Sequence, residues 1–146
     1  MNAEKQSVDV CLVDSNVWLY ILLPGQDIDK AKTARDLVRS RSAAIVISTQ
    51  IVNEVVNGII KHHVMNESEI REFISRFYAR YSVNPITESI QLKASQLRER
   101  YSLSHWDSLI VSAALQSGVT ILFSEDMQDG LIIENQLTIN NPFKSQ

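Results

Sequence analysis

The sequence has a single cysteine, Cys11, in 146 residues, so no disulfide can form within the chain. Glycine and proline are scarce, at 4 and 3 residues, and no stretch rich in them marks a linker or a low-complexity segment. No apolar run approaches the roughly 20 residues that a membrane-spanning helix needs. The first seven residues are polar rather than signal-like. These absences argue against a disulfide scaffold or a membrane protein, and we expect a cytoplasmic globular protein.

Hydrophobic residues make up 45% of the chain and charged residues 21%, as in ordinary globular proteins. A length of 146 residues suffices for one hydrophobic core, so we predict a single domain over residues 1–146, with residues 1–7 flexible. The net charge of -3 has the opposite sign to that of a typical nucleic-acid binder. A cluster of cation-binding carboxylates would account for this charge, so nucleic acid is not excluded as a substrate.

Short apolar runs alternate with amphipathic stretches along the chain, which is the pattern of βα units around a parallel sheet. Strands are predicted at residues 8–13, 43–47, 81–83 and 119–123, with a weaker last one at 137–139. Helices are predicted at residues 15–22, 29–41, about 48–61, 68–80, about 86–101 and 105–117. We therefore predict an α/β fold, a three-layer α/β/α sandwich around a central parallel sheet of four to five strands.

Four acidic residues fall where predicted strands end or on the helices beside them. Asp14 closes an apolar strand, and Asp126 comes after another strand with only two residues between. Glu54 lies on the helix after the second strand, and Asp107 lies near the start of the last long helix. Because ligand sites in open α/β sheets lie at the carboxyl ends of the strands, we expect the four carboxylates to meet at one edge of the sheet.

Two of these acids could instead serve only as helix caps. Asp14 would cap the first helix by accepting backbone N–H hydrogen bonds. Asp107 stands three residues after Ser104, the spacing of an acidic capping arrangement, and would favour the positive end of its helix.

The other two acids also have simpler explanations. Glu54, taken alone, would be a solvated glutamate on the polar face of its helix. Asp126 would belong to a polar turn, where Glu125 and Asp129 are competing candidates for any metal site. The joint placement of the four acids, rather than any one of them, favours a metal site.

Four short segments carry these acids in order, and they are similar to the four motifs of the PIN-domain ribonucleases. The segments are residues 13–17, Asn53 with Glu54 inside residues 50–60, residues 105–110 and residues 124–126. The acids are 40, 53 and 19 residues apart, and the resemblance spans residues 10–143. Within this family the chain resembles the VapC-type toxins of bacterial toxin–antitoxin pairs. One departure is Ser108, which follows Asp107 where the family commonly has alanine.

The resemblance implies an RNA substrate, with products that carry 5′-phosphate and 3′-hydroxyl ends. The principal metal ligands implied are Asp14, Glu54 and Asp107, with Asp126 completing the site or holding a ligating water. The hydrogen-bonding groups predicted behind them are Ser15, Asn16 and Ser124. The partners implied are a small antitoxin, whose basic side chain enters the acidic groove, and a second copy of the chain in a homodimer.

The residue types fit this chemistry. Carboxylates are hard oxygen ligands suited to Mg²⁺ or Mn²⁺, and the sequence offers no Cys/His cluster of the kind that zinc prefers. Four carboxylates in one cleft would raise one another's pKa unless a divalent cation compensated them. One or two such ions would acidify a bound water and neutralise the charge that develops on a phosphodiester.

Cations and aromatic rings on the surrounding helices are the candidate RNA contacts. They are Lys32, Arg35, Arg39, Lys61 and Trp106. Any of the four cations could equally be a solvated surface charge, and Trp18 is better explained as a core or interface residue. The apolar candidates for a homodimer interface are Ile21, Leu22, Leu23, Phe73 and Phe77.

Other functions are compatible with parts of the sequence. A PIN-domain ribonuclease that processes RNA without an antitoxin would carry the same motifs. An aspartate-dependent phosphatase needs a second aspartate two residues after the first, and position 16 is Asn16. A phosphoacceptor receiver domain needs a lysine after a late strand, and none lies between residues 119 and 141. A non-catalytic binding module would have no need of all four acids.

Overall fold

A computed structural model of the chain describes residues 9–144. The predicted flexible segment, residues 1–7, lies outside these residues, as does the first residue of the first predicted strand. The helices are α1 (Ser15–Leu22), α2 (Ile28–Arg41), α3 (Thr49–Lys61), α4 (Glu67–Arg80), α5 (Glu88–Arg100) and α6 (His105–Gln116). The strands are β1 (Cys11–Val13), β2 (Ile45–Ser48), β3 (Ser82–Asn84), β4 (Ile121–Phe123), β5 (Ile132–Ile133) and β6 (Leu137–Asn140). None of these helices combines the length and the apolar character needed to cross a lipid bilayer.

The strands form one sheet in the order β3-β2-β1-β4-β6-β5. Neighbouring strands are parallel except for β5 and β6, which are antiparallel. A mostly parallel sheet flanked by helices confirms the predicted α/β fold class. The sheet has six strands rather than four to five because β5 was not predicted. That strand is only two residues long, too short to show a strand pattern, and it leads into a turn at Glu134 and Asn135, which both have positive φ.

The strand order reverses at β1, with β2 and β3 on one side and β4, β6 and β5 on the other. Ligand sites of open α/β sheets form at such a switch point, beyond the carboxyl ends of the strands. Asp14 directly follows β1 and Ser124 directly follows β4. The backbone N–H of Asp14 also donates to the carbonyl of Phe123 at 2.9 Å. The fold therefore brings the first and fourth motifs side by side.

Helices α1 and α3 approach closely because α3 carries Gly58 where the two helices meet. A Cβ atom at Gly58 would stand 2.6 Å from Cδ2 of Leu19 on α1, which is shorter than any normal contact. A larger residue at this position would force Leu19 to move. The close packing holds Glu54, one turn earlier on α3, against the N-terminal end of α1.

Candidate functional site

Asp14 lies at the centre of a polar cluster at the carboxyl ends of β1 and β4. Its side chain is buried, with 4% of its surface exposed, and it caps α1 by accepting from the backbone N–H of Ser15 at 2.8 Å. Its second oxygen accepts from the hydroxyl of Ser124, also at 2.8 Å. Asp14 therefore caps α1 and also belongs to the acid cluster.

The electrostatic environment of Asp14 disfavours its charge. Burial raises the pKa of Asp14 from its usual 3.8 to about 6, against the lowering effect of the hydrogen bonds from Ser124 and Ser15. The negative charges of Glu54 and Asp107 raise it further. Asp14 is thus only partly ionised near pH 6 in the protein without a bound cation.

Glu54 is half-buried on α3 and faces the same cluster. One of its oxygens accepts from the hydroxyl of Ser15 at 2.7 Å, and the other accepts from the carboxamide of Gln50 at 3.0 Å. Ser15 therefore bridges α1 and α3 through the first and second motifs. Gln50 is a site residue that the sequence analysis does not predict, although its position four residues before Glu54 places it on the same helix face.

Asp107 and Asp126 complete the acid cluster. The backbone N–H of Asp107 donates to the hydroxyl of Ser104, the N-cap of α6, at 3.1 Å, so the capping arrangement is also present. Burial raises the pKa of Asp107, the contact with Ser104 lowers it, and the charges of Asp126 and Glu54 raise it. Asp126 is exposed and accepts from the carboxamide of Asn16 at 3.0 Å. Asp14 and Asp107 therefore each experience the negative charge of other members of the cluster.

The donor chemistry of this cluster fits a hard divalent cation. Its ligand atoms would all be carboxylate oxygens, and the hydrogen-bond donors to Asp14, Glu54 and Asp126 are uncharged. Within residues 9–144, no three His, Cys, Asp or Glu side chains already stand close enough together to enclose an ion. The uncompensated negative charge is what a bound cation would relieve.

Two neighbouring acids, Glu125 and Asp129, are engaged elsewhere. Glu125 accepts from the hydroxyl of Tyr20 at 2.6 Å and pairs with Lys30 at 2.9 Å. Partial burial acts to raise its pKa, but these two partners hold the pKa of Glu125 below its usual value. Asp129 accepts from the backbone N–H of Asn141 at 2.7 Å, which lowers its pKa. Both acids therefore serve to hold the chain segments around the site.

The predicted cationic RNA contacts lie on exposed helix surface. Lys32, Arg35 and Arg39 are exposed on α2, and Lys61 is exposed at the end of α3. Among the described residues, no hydrogen bond or ion pair joins any of them to the acid cluster. Their part in RNA binding stays a prediction.

Trp106 lies in the first turn of α6, directly before Asp107, and the residue is 58% exposed. Its ring meets the ring of His105 edge to face, with centroids 4.9 Å apart. Trp106 lines a hollow of about 330 Å³ that opens beside the acid cluster. The other lining residues of this hollow are Gln50, Asn53, Glu54 and Asn57. We call it the amide hollow, because three of its five lining side chains are carboxamides.

A separate apolar hollow of about 300 Å³ lies between α1, α2 and α4. Of the predicted interface residues, four line it: Ile21, Leu22 and Phe73, which are half-buried, and Phe77, which is buried. Leu23 and Phe77 are buried in the core, so they do not offer the exposed surface that the sequence suggests. Trp18 is a core residue, as predicted. Its indole N–H donates to the carbonyl of Val13, and its ring packs edge to face on Phe77 and Tyr81.

Comparisons with known proteins extend these observations. Residues 11–128 match the family described as PIN domain, and no curated protein shows significant similarity to the chain. A toxin-antitoxin complex from Klebsiella pneumoniae is a similar solved structure, with 19% identity, a TM-score of 0.69 and coverage of 92% of this chain and 99% of that one. VapC20 from Mycobacterium tuberculosis, a Sarcin-Ricin loop cleaving toxin, has 17% identity, a TM-score of 0.65 and coverage of 80% and 91%. VapBC2 from Rickettsia felis, bound to a DNA fragment from its promoter, has 16% identity, a TM-score of 0.65 and coverage of 90% and 98%. At these identities the likeness is one of fold.

Proposed function

The chain belongs to the PIN domain family, and from this membership and the acid cluster we propose that it is a metal-dependent endoribonuclease. It hydrolyses RNA phosphodiester bonds with a metal-activated water. The observation that carries the proposal is the group of four carboxylates at the switch point of the sheet, where burial and acidic neighbours raise the pKa of Asp14 and Asp107. Because RNA is a polyanion, it approaches such a site only when a cation offsets the carboxylate charge.

The proposed ligands of Mg²⁺ or Mn²⁺ are Asp14, Glu54 and Asp107, with Asp126 completing the site. When bound, the ion supplies an acidified water and a positive charge against the scissile phosphate. Ser124 and Ser15 donate hydrogen bonds to the carboxylates of Asp14 and Glu54 and so would orient these carboxylates for an ion. Asn16 holds Asp126 in the same way. Apart from Asp14, these acids are half-buried or exposed, so a cation that offsets their mutual repulsion can reach them from solvent.

We further propose that the chain is the toxin of a toxin–antitoxin pair and acts in the cytoplasm, where its RNA substrate lies. Support comes from the similar structures, one of which is a toxin-antitoxin complex and another a Sarcin-Ricin loop cleaving toxin. The partner is a small antitoxin with a basic side chain that enters the acid cluster and neutralises its charge. A homodimer remains part of the proposal, with the apolar hollow and the exposed cations of α2 and α3 available for protein and RNA contacts.

Cleavage of a mixed RNA pool tests the nuclease proposal. The purified chain is expected to cut RNA with Mg²⁺ or Mn²⁺ and to stop when EDTA removes the ion. Asp107→Asn, which keeps the size of the side chain but removes a ligand charge, is expected to lower the cleavage rate at least 100-fold, the upper end of the effect of disturbing a metal site. Calorimetry with the same variant should show weaker binding of the ion.

Asp36→Asn is the matched control, because it removes the same charge from the exposed surface of α2. This control is expected to cut RNA at the rate of the unmodified chain. Cleavage that persists in EDTA, or that Asp107→Asn leaves intact, would contradict the proposal. Copurification with a small protein encoded beside the chain would separate a toxin from an RNA-processing nuclease.

A further inference from the structure

The amide hollow differs in chemistry from the acid cluster that it adjoins. One of its walls is the exposed ring of Trp106, and the rest is formed by the carboxamides of Gln50, Asn53 and Asn57 and by Glu54. Aromatic faces and carboxamides are the groups that proteins use to hold and read unpaired bases. We propose that this hollow binds an unpaired adenine base next to the cleaved phosphodiester, an assignment that rests on the ribonuclease function proposed above.

Trp106 provides the stacking surface for the base. Trp106 is 58% exposed as a residue, so core packing does not hold it there. The edge-to-face contact with His105 limits the orientations of the ring. Because Trp106 directly precedes Asp107, a base stacked on the ring lies beside the acid cluster. A purine covers more of an indole than a pyrimidine does, so stacking favours adenine and guanine over cytosine and uracil.

The carboxamides provide the groups that read the edge of the base. Asn53 and Asn57 are four residues apart on the exposed face of α3, so their side chains are neighbours. Across residues 9–144, neither side chain has a hydrogen-bond partner, whereas Gln50 already donates to Glu54. A carboxamide offers one acceptor and a pair of donors, which match the amino group and adjacent ring nitrogen of adenine in a two-bond contact.

The same two-bond contact separates the two purines. Guanine carries a carbonyl oxygen where adenine carries its amino group, so this edge of guanine presents two adjacent acceptors and a carboxamide cannot make both bonds. Stacking and the carboxamides together leave adenine as the preferred base.

End-sequencing of a randomised RNA library cut by the chain in Mg²⁺ tests this assignment. The unmodified chain is expected to enrich adenine at one fixed position beside the cut. Base stacking on an aromatic ring of about 1–3 kcal/mol, at tenfold per 1.4 kcal/mol, predicts that Trp106→Ala lowers cleavage at adenine sites roughly 5- to 140-fold. Trp106→Phe should retain most of the preference. Asn57→Ala should reduce the preference for adenine over guanine.

Tyr78→Ala is the matched control, because Tyr78 is an aromatic residue with 48% exposure on α4 and lies outside the site. It should leave the adenine preference unchanged. Metal-dependent cutting without adenine enrichment, or enrichment that survives Trp106→Ala, would overturn the base site while leaving the nuclease intact.

A binding measurement separates failure of the base site from failure of the nuclease. Fluorescently labelled pentanucleotides with one adenine in a uracil background, and the all-uracil chain, are titrated with the Asp107→Asn protein in Mg²⁺. At least one adenine position is expected to bind about fivefold or more tightly than uracil, and Trp106→Ala should remove the difference. If the unmodified chain cuts no RNA but this preference is present, the base site stands and the nuclease proposal fails. Equal binding of all the pentanucleotides overturns the base site.

Discussion

Replacing Asp14 with asparagine is expected to stabilise the protein when no divalent cation is present. Burial and the nearby acids raise the pKa of Asp14 from its usual 3.8 to about 6 in the folded chain. At about 1.4 kcal/mol per pH unit, this difference corresponds to roughly 3 kcal/mol of free energy that ionised Asp14 costs the folded state above pH 6. Asparagine keeps the size of the side chain and an oxygen to accept from the backbone N–H of Ser15.

The variant also has a weaker hydrogen bond with Ser124. The hydroxyl of Ser124 donates to the carboxylate of Asp14 at 2.8 Å, and it must instead accept from the amide group of asparagine. Replacing a hydrogen bond to a carboxylate with a weaker neutral one costs about 1 kcal/mol. The net gain is therefore about 2 kcal/mol near pH 7.5, or a rise of roughly 4–8 °C in Tm for a chain of this size.

The stability gained by Asp14→Asn should increase between about pH 4 and pH 6. Below about pH 4 the carboxyl is protonated in both the folded and the unfolded chain, so the substitution brings no electrostatic gain. Between about pH 4 and 6 the unfolded chain releases the proton first, and the stability of the unmodified protein falls relative to Asp14→Asn. Above pH 6 the difference is constant. Urea unfolding at pH 4, 5, 6 and 7.5 in EDTA measures this course.

Added Mg²⁺ should reverse the order of stability. A cation present at 100 times its dissociation constant stabilises the unmodified protein by about 2.7 kcal/mol, and the order reverses if the variant gains less than about 0.7 kcal/mol. Asp36→Asn, on the exposed surface of α2, should change neither curve. The reasoning is refuted if Asp14→Asn is less stable than the unmodified protein at pH 7.5 in EDTA. It is also refuted if their difference is the same at pH 4 and pH 7.5.

Two further substitutions probe how the fold supports the site. Ser124→Ala removes the hydroxyl that lowers the pKa of Asp14, so RNA cleavage should fall about 10- to 100-fold and its pH profile should move to higher pH. Ser112→Ala, a buried serine that donates to the carbonyl of Ile90, is the control, and equal profiles for both variants would contradict the role of Ser124. Gly58→Val forces Leu19 away from α3 and should cost about 1–3 kcal/mol of unfolding free energy in urea titrations. Asn57→Val, at an exposed position of the same helix, should cost much less, and an equal loss would show that helix propensity rather than close packing sets the effect.

The helices were predicted well because residues close in sequence mark where each helix begins and ends. Helix α1 begins after Asp14 and ends before Pro24 and Gly25, and the predicted and observed bounds agree. Four strands were predicted to begin too early, for example β1, which pairs with its neighbours only from Cys11, whereas β6 begins where predicted. Pairing depends on where the neighbouring strands overlap, which a single segment does not reveal.

The four acids could be placed at one edge of the sheet because strand ends in a parallel sheet meet there. The sequence alone did not show whether the nearby acids Glu125 and Asp129 belong to the same site. Glu125 accepts a hydrogen bond from Tyr20 and pairs with Lys30. Both partners are about 100 residues away in sequence, so only the folded structure shows these contacts. The amide hollow could not be predicted from the sequence either, because it brings Asn53 and Asn57 together with Trp106 from another helix.

The position of β1 between β2 and β4 also determines at which stage of folding the site can assemble. Asp14 and Ser124 are separated by 110 residues, and their hydrogen bond requires β4 to have docked beside β1. Contacts that close so long a stretch of chain carry a large entropic cost and tend to form late in folding. On a ribosome, a growing chain could already contain Asp14, Glu54 and Asp107 and still have no assembled site. For a proposed toxin that cuts RNA, this order of events protects the translation apparatus during synthesis and leaves time for an inhibitor to be made.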